Sequence, residues 1–436
     1  MDVLLQKLAA GVADAIPGFT RREIGVPNIP RKALAVIGMR RSGKSTFMWQ
    51  CLADRVAAGA PREAQVYLNF EDDRLGALDA AVLDRMLEAY YQRFPDFRGT
   101  RRVGWFLDEI QLVKGWERFV RRIMDSEKVD VFLSGSSAKL LSREVATELR
   151  GRGLEALVLP FSFREALAHV GLLPHKAWSW LTSRERSAVK GAFERYMQAG
   201  GFPEAQGLAA EDRAVLLRGY TDVAVLRDVI DRYGVSNPVA LRWMQRQLLG
   251  NAASRFSVEK FHAVLHSQGM AVGKSTLHDY LGYLEDAFLV RTVSMDTASE
   301  RQRMVNPRKV YPVDPGLIPL FDRTGGANRG HALETVIALE LERRGAQIAY
   351  VKTPAGHEVD FIARFQDGET VLIQVCEDAS AEHAYLREVR ALEDARARYS
   401  KAKCFLIVGQ DANQIEVPKG IVVQSALEWL LEKNRE

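Results

Sequence analysis

Four short apolar runs, ALAVIG, VYLNF, VGWFLDE and VDVFLSGSS, punctuate the first third of the chain, and between them apolar residues recur at helical spacing. Unalternated apolar runs of about four to eight residues suit strands covered on both faces. Strands alternating with helices predict a doubly wound α/β domain with a parallel sheet, ending near Leu159. Residues 1–30 read as a short amphipathic helix and a connector punctuated by proline, FTRREIGVPNIPRKA. From Phe161 to about Val235 the pattern is helical and broken only by the GGFPEA turn. Between Ser257 and Met295 come a helix (VEKFHAVLHSQ), a turn (GMAVGK), a second helix (STLHDYLGYLEDA) and a strand (FLVRTVSM), with KVYPVD as the returning strand. Helix, turn, helix and hairpin is the order of a winged helix. After Gly330 the helix HALETVIALELERRG, the strands IAYVKT, EVDFIARF and TVLIQVC, the helix AYLREVRALEDARAR and the strand KCFLIV predict a small further α/β domain. The expected divisions are 1–160, a helical connector or lid at 161–235, a winged helix at 236–315 and the last domain at 316–436.

Composition narrows the class. With 436 residues, 47% hydrophobic and 27% charged, the chain can bury a large core and is not a disordered or low-complexity protein. Sixty Lys and Arg against 56 Asp and Glu leave a net charge of +4, which permits a polyanionic partner without requiring one. Cys51, Cys376 and Cys404 show no CxxC or Cys/His spacing, so neither a disulfide framework nor a structural zinc site is expected, and a reduced cytoplasmic setting fits. No apolar run approaches the roughly 20 residues that cross a bilayer. Lys7 and Asp14 interrupt the N-terminal segment before a secretory apolar region forms.

Gly38-Met39-Arg40-Arg41-Ser42-Gly43-Lys44-Ser45 satisfies GxxxxGK[ST] directly after a predicted strand and before a helix that opens at Thr46. Its glycines let the backbone turn its N–H groups toward a phosphate. Lys44 supplies a cation for the β- and γ-oxygens, and the Ser45 hydroxyl suits Mg²⁺. The bland alternative is an ordinary glycine-rich turn. A second GKST, Gly273-Lys274-Ser275-Thr276, follows a helix rather than a strand and has Gln268 where the first glycine is needed; there Ser275 is expected to be a helix N-cap.

The third apolar run ends in Asp108-Glu109. One carboxylate at such a strand end can hold the Mg²⁺ shell while the next polarises the attacking water, which assigns Asp108 to the metal and Glu109 to the base. The fourth run ends in Ser134-Gly135-Ser136, so Ser134 or Ser136 is the candidate polar sensor of the γ-phosphate, against the plain reading of both as turn formers.

Taken together, GMRRSGKST, YLNFEDDRL, FLDEIQ, GWERFVRRIMD, FLSGSSAKLLSRE, LRGRG, LPFSFREAL and GGFPEA resemble the prokaryotic AAA-superfamily ATPases that carry a C-terminal domain of unknown function. HALETVIALELERRG, HEVDFIARF and LIQVC resemble their C-terminal segments, so the likeness covers nearly the whole chain. It implies ATP with Mg²⁺ and ring-like assembly as hexamers; GTP is disfavoured because no NKxD is present. It also implies an arginine finger at Arg152, offered to a neighbouring copy, with Arg150 as competitor and an ordinary ion pair as the alternative.

The last domain resembles the PD-(D/E)xK nucleases, in which strand-end acids bind Mg²⁺ and a lysine on the next strand assists water. Glu334 and Asp360 match the acids, but Gln374-Val375-Cys376 stands where (D/E/Q)xK belongs, and Cys376 provides no cation. Lys352 is the nearest substitute in sequence. An inactive scaffold or DNA-docking domain is expected. Arg301, Arg303, Arg308 and Lys309 fall in DTASERQRMVNPRK, expected as an exposed basic hairpin able to track DNA phosphates without reading sequence; the alternative is a solvated loop. The functional expectation is an oligomeric ATPase motor that remodels or translocates DNA, plausibly branched or structured DNA such as four-way junctions. Its rivals are an ATP-dependent switch binding a protein partner and an ATP-coupled nuclease.

Overall fold

The computed structural model describes residues 3–27, 29–76, 78–135, 149, 151–322, 328–378, 382–409 and 418–433. It divides into two compact units, Met1–Leu159 and Pro160–Glu436.

In the first unit α1 (Val3–Ala13) precedes β1 (Ala33–Ile37), α2 (Lys44–Ala57), β2 (Gln65–Asn69), α3 (Ala80–Arg93), β3 (Val103–Asp108), α4 (Trp116–Ser126), β4 (Val129–Ser134) and β5 (Gly153–Leu157). The sheet order is β2-β3-β4-β1-β5, with every neighbouring pair parallel. Such a sheet, with helices between its strands, has the α/β fold of a P-loop NTPase, as the alternation of the sequence predicts. β1 is buried along its whole length. Leu34 and Val36 pack with Phe47, Met48 and Leu52 of α2 and with Phe106 of β3. On α4 the buried residues Trp116, Phe119, Val120 and Ile123 recur at one-turn spacing and form the apolar stripe that seats the helix. β5 is not anticipated by the sequence reading: GLEAL carries an acid in its middle and is only part-buried, yet it pairs with β1 along its length.

In the second unit come α5 (Phe163–His169), α6 (Ser183–Ala199), α7 (Ala210–Val223), a π-helical continuation at Ala224–Ile230, and α8 (Pro238–Gly250). They are followed by β6 (Arg255–Phe256), α9 (Val258–Ser267), α10 (Lys274–Asp286), β7 (Val290–Val293), α11 (Glu300–Val305) and β8 (Arg308–Pro312). The three strands form an antiparallel sheet in the order β6-β8-β7. Then α12 (Arg329–Arg343), β9 (Gln347–Lys352), β10 (Glu358–Arg364), β11 (Thr370–Cys376), α13 (Glu382–Arg398), β12 (Lys403–Val408), β13 (Ile421–Ser425) and α14 (Ala426–Leu431) build a mixed sheet, β13-β12-β11-β10-β9. Its β9-β10-β11 pairings are antiparallel and its β11-β12-β13 pairings parallel.

The helices expected as a connector share one core with this sheet: Phe163, Phe193 and Tyr196 cluster with Leu333, Ile337, Phe361 and Trp429. The GGFPEA turn is set by the same packing. Gly200 lies in the left-handed region at φ 74°, and a Cβ on it would fall 1.6 Å from Oδ1 of buried Asp314. The Gly201 N–H donates to the other Asp314 oxygen at 2.6 Å.

Two local expectations are corrected. Ser275 is not an N-cap: α10 begins one residue earlier, with Gly273 in the cap position and no side chain closing it. The stretch expected as an open basic hairpin folds in part into α11, capped by the Ser299 side chain accepting from the Gln302 N–H.

Candidate functional site

The parallel register brings the carboxyl ends of three strands together. Val36 of β1 pairs with Ser134 of β4, Leu107 of β3 pairs with Leu133 of β4, and Asp108 follows at the end of β3. The loop of residues 38–43 leaves β1 at the same edge. Open α/β sheets bind ligands there.

The loop wraps as its residue types require. Gly38 and Gly43 take φ values of 149° and 101°, and Arg41 is left-handed at 65°. Gly43 caps α2 without any side-chain bond, so the first helical amides face outward rather than toward a capping oxygen. Lys44 is buried, and its Nζ donates to the carbonyls of Gly38 at 3.2 Å and Met39 at 3.1 Å. Arg40 is half-buried, while Arg41, Ser45 and Thr46 are exposed. The Ser42 hydroxyl is buried with no hydrogen-bond partner among the described residues. A phosphate oxygen would satisfy that orphaned hydroxyl and the outward amides, so the loop fits such a ligand.

Asp108 is fully buried. Its Oδ2 accepts from the Tyr67 hydroxyl at 2.5 Å, and its Oδ1 accepts from the Ser134 hydroxyl. Ser134 Oγ in turn accepts from the Glu109 N–H at 3.3 Å. Glu109 is a non-glycine residue in the left-handed region, φ 56°, and Gln111 Nε2 donates to its Oε2 at 2.5 Å. Backbone strain of this kind persists where surrounding contacts over-determine it. Here the Gln111 bond holds the carboxylate of Glu109 and the Ser134 bond holds its backbone. Ser136 and Arg150 lie outside the described residues. Arg152 is part-exposed and pairs with Asp125 of α4.

Three neighbours of this site have no individual role assigned from the sequence. Tyr67 and Gln111 are described above. Arg22 is the third: it is buried, and its guanidinium donates to the carbonyl of Ser42 at 2.9 Å and to that of Leu159. Only its place in a Pro-punctuated connector beside an apolar strand hints at a tethering role.

A second cluster lies in the other unit, and it corrects the sequence reading. Lys309 is 3% exposed rather than displayed on a hairpin. Its Nζ lies 2.8 Å from Asp360, 2.9 Å from Glu334 and 3.0 Å from Glu358, while the Tyr311 hydroxyl donates to Glu334 at 2.7 Å. Glu334 and Asp360 are therefore paired with a lysine of β8. Lys352 is exposed. Burial opposes the Lys309 charge, but the three carboxylates outweigh burial and hold the ammonium above the ordinary lysine range. Burial first, and then the Asp360 charge, push the Glu334 carboxyl upward. Gln374 Oε1 accepts from the Asp360 N–H at 3.1 Å, and its Nε2 donates to Glu388 at 2.6 Å. A cavity of about 550 Å³ opens beside the cluster, lined in part by Glu334, Asp360, Gln374 and Cys376. Burial pushes the Cys376 thiol up to about 11, so it stays neutral. Among the described residues no group of three or more His, Cys, Asp or Glu is arranged to hold a metal ion. Of the remaining basic candidates, Arg308 lies 3.7 Å from Glu285, Arg303 lies 3.2 Å from Glu300, and Arg301 is exposed.

The chain has recognisable relatives. Residues 30–167 match the model of an AAA domain, and residues 190–325 match a domain of unknown function, DUF8612. "Uncharacterized protein MJ1544" of Methanocaldococcus jannaschii is 31% identical over 379 residues, which cover 86% of this chain and 81% of that protein. An uncharacterized protein of Haemophilus influenzae is 30% identical over 398 residues, covering 91% of this chain and 94% of its own length. Among solved structures, the Walker-type ATPase PABY2304 of Pyrococcus abyssi aligns with 67% of this chain and 91% of its own, at 16% identity and a TM-score of 0.40.

Proposed function

This chain belongs to the AAA-domain family of its Methanocaldococcus jannaschii and Haemophilus influenzae relatives, and we propose that it is a Mg²⁺-dependent ATPase acting at the carboxyl edge of its parallel sheet. One observation carries the reading: the loop holding Lys44, the buried carboxylate Asp108 and the strained Glu109 converge on one edge, with Ser134 bridging the two acids. Residues Gly38 to Thr46 would bind the phosphates, with Lys44 carrying charge to the β- and γ-oxygens. Ser45 and Asp108 would hold Mg²⁺, which when bound neutralises phosphate charge as the terminal group leaves. Glu109 takes a proton from the attacking water, and Ser134 reports the state of the γ-phosphate to both acids.

Arg152 serves as the arginine finger of a neighbouring copy in a ring-like assembly, hexameric by family resemblance. In the isolated chain Asp125 holds it, so assembly must exchange that ion pair for a phosphate. Arg152→Ala should lower turnover without weakening ATP binding, and mixing it with Lys44→Ala subunits should restore turnover, because each supplies what the other lacks. No recovery in mixed assemblies contradicts action in trans.

DNA is the proposed substrate of the ATP cycle. The element order α8, β6, α9, α10, β7, β8 with its β6-β8-β7 sheet supports a winged-helix reading. α12 followed by β9, β10, β11, α13 and β12 supports a nuclease-like reading of the last domain. With Lys309 buried, the exposed phosphate-facing charge of the wing reduces to Arg301 and Arg303, with Arg308 partly engaged. The double variant Arg301→Ala/Arg303→Ala should flatten the dependence of DNA affinity on salt by about two counterions, and an unchanged slope moves binding to another surface. The same incubations read cleavage. Lys309 already occupies the point where the carboxylates converge, and Gln374 adds no charge, so linear, circular and four-way DNA should stay intact in Mg²⁺ or Mn²⁺. Cleavage lost in Asp360→Ala would instead make Lys309 the lysine of an active nuclease. ATP turnover strongly stimulated by DNA supports a motor; slow turnover indifferent to DNA favours the protein-binding switch.

A further inference from the structure

Tyr67 sits in the middle of β2, one strand beyond the acids, and has no role assigned from the sequence. Its hydroxyl donates to Asp108 Oδ2 at 2.5 Å. The ring is held on its other side. It stacks on Trp49 of α2 with centroids 4.2 Å apart and planes inclined by 27°, and the Arg62 guanidinium lies 5.8 Å above the Trp49 ring. Arg62 is itself tied down, donating to the carbonyls of Gln65 at 2.6 Å and Gly11 at 3.1 Å. A column of Arg62, Trp49 and Tyr67 therefore delivers one hydroxyl to a fixed point between the helix after the phosphate loop and the end of β3.

That point matters because of what flanks it. Asp108 ends its strand with two rotatable side-chain bonds, and a hard cation such as Mg²⁺ demands near-ideal ligand geometry. Ser134 restrains one oxygen of Asp108 and Tyr67 the other, so the carboxylate cannot rotate freely.

We propose that Tyr67 is a positioning residue that fixes the Asp108 carboxylate in the geometry Mg²⁺ requires, a role that rests on the ATPase reading above. It does not touch the reacting atoms. Its effect falls on the coupling between metal and nucleotide, not on nucleotide affinity itself. A tyrosine that merely fills the core beside Trp49 would have no such selectivity, because Tyr67→Phe keeps the ring and its stack and removes only the hydroxyl.

The test is a fluorescence titration of wild type and Tyr67→Phe with an N-methylanthraniloyl ATP analogue, in EDTA and across a Mg²⁺ series. Wild type should bind more tightly as Mg²⁺ is added. Tyr67→Phe should match it in EDTA but need about tenfold to a hundredfold more Mg²⁺ for half of the effect, the range seen when a group orienting a metal ligand is lost. Electron paramagnetic resonance of Mn²⁺ bound to the ADP-loaded proteins should show the same weakening, and a melting curve on each sample gives the fraction folded. Coincident Mg²⁺ and Mn²⁺ midpoints in the two proteins overturn the role of Tyr67 and leave the ATPase reading standing. A wild type whose nucleotide binding ignores Mg²⁺ overturns both.

Discussion

Lys44→Ala is expected to abolish nucleotide binding at ordinary ATP concentrations. In the structure the Lys44 ammonium is buried and donates to two neutral carbonyls, Gly38 at 3.2 Å and Met39 at 3.1 Å. A buried cation partnered by carbonyls gains most when an anion arrives. Charge-assisted bonds to phosphate are roughly twice as strong as neutral ones, and losing one in a water-poor loop costs on the order of 3 kcal/mol, about a hundredfold in affinity. Equilibrium binding of labelled ATP measures it directly. A melting curve close to wild type would show that the loss is local, since the β1 and α2 packing of Val36, Phe47 and Leu52 is untouched.

Glu109→Gln is expected to separate binding from chemistry. The amide keeps the size of the side chain and can still accept from Gln111, so the left-handed backbone at Glu109 and the N–H bond to Ser134 persist. What it loses is the ability to take a proton. General-base catalysis contributes about a hundredfold to ten-thousandfold, and turnover should fall by that factor while ATP affinity stays within a few-fold of wild type. Lys44→Ala and Glu109→Gln therefore predict opposite signatures, one in affinity and one in turnover.

The phosphate loop and the Asp108-Glu109 pair were legible in the sequence because their chemistry is local. A strand, a fixed spacing of glycines and a helix put Lys44 in place whatever the rest of the chain does, and an apolar strand carries its terminal acids to the sheet edge. The four-strand alternation showed the doubly wound unit for the same reason. β5 escaped because it is short, part-polar and recognisable only through its pairing with β1.

Lys309 escaped for a different reason. Its partners lie 25 and 51 residues downstream, so no window of sequence contains them. Next to Pro307 and Arg308 it reads as loop charge; only the register of β8 turns its side chain inward while Arg308 stays part-exposed. Tyr67 lies 41 residues from Asp108 and is invisible on similar grounds, since an aromatic residue in an apolar strand is ordinarily core. Local motifs show which chemistry a chain can attempt. The partners that orient it, Tyr67, Arg22 and Gln111 here, emerge only when strands and connectors are placed side by side.

The central claim, a Mg²⁺-dependent ATPase built on Lys44, Asp108 and Glu109, is tested most directly by steady-state phosphate release from ATP. Wild type should release phosphate in Mg²⁺ and stop in EDTA, with Lys44→Ala and Glu109→Gln both silent and only Glu109→Gln still binding ATP. Equal residual release by all three proteins, unaffected by EDTA, would contradict the account.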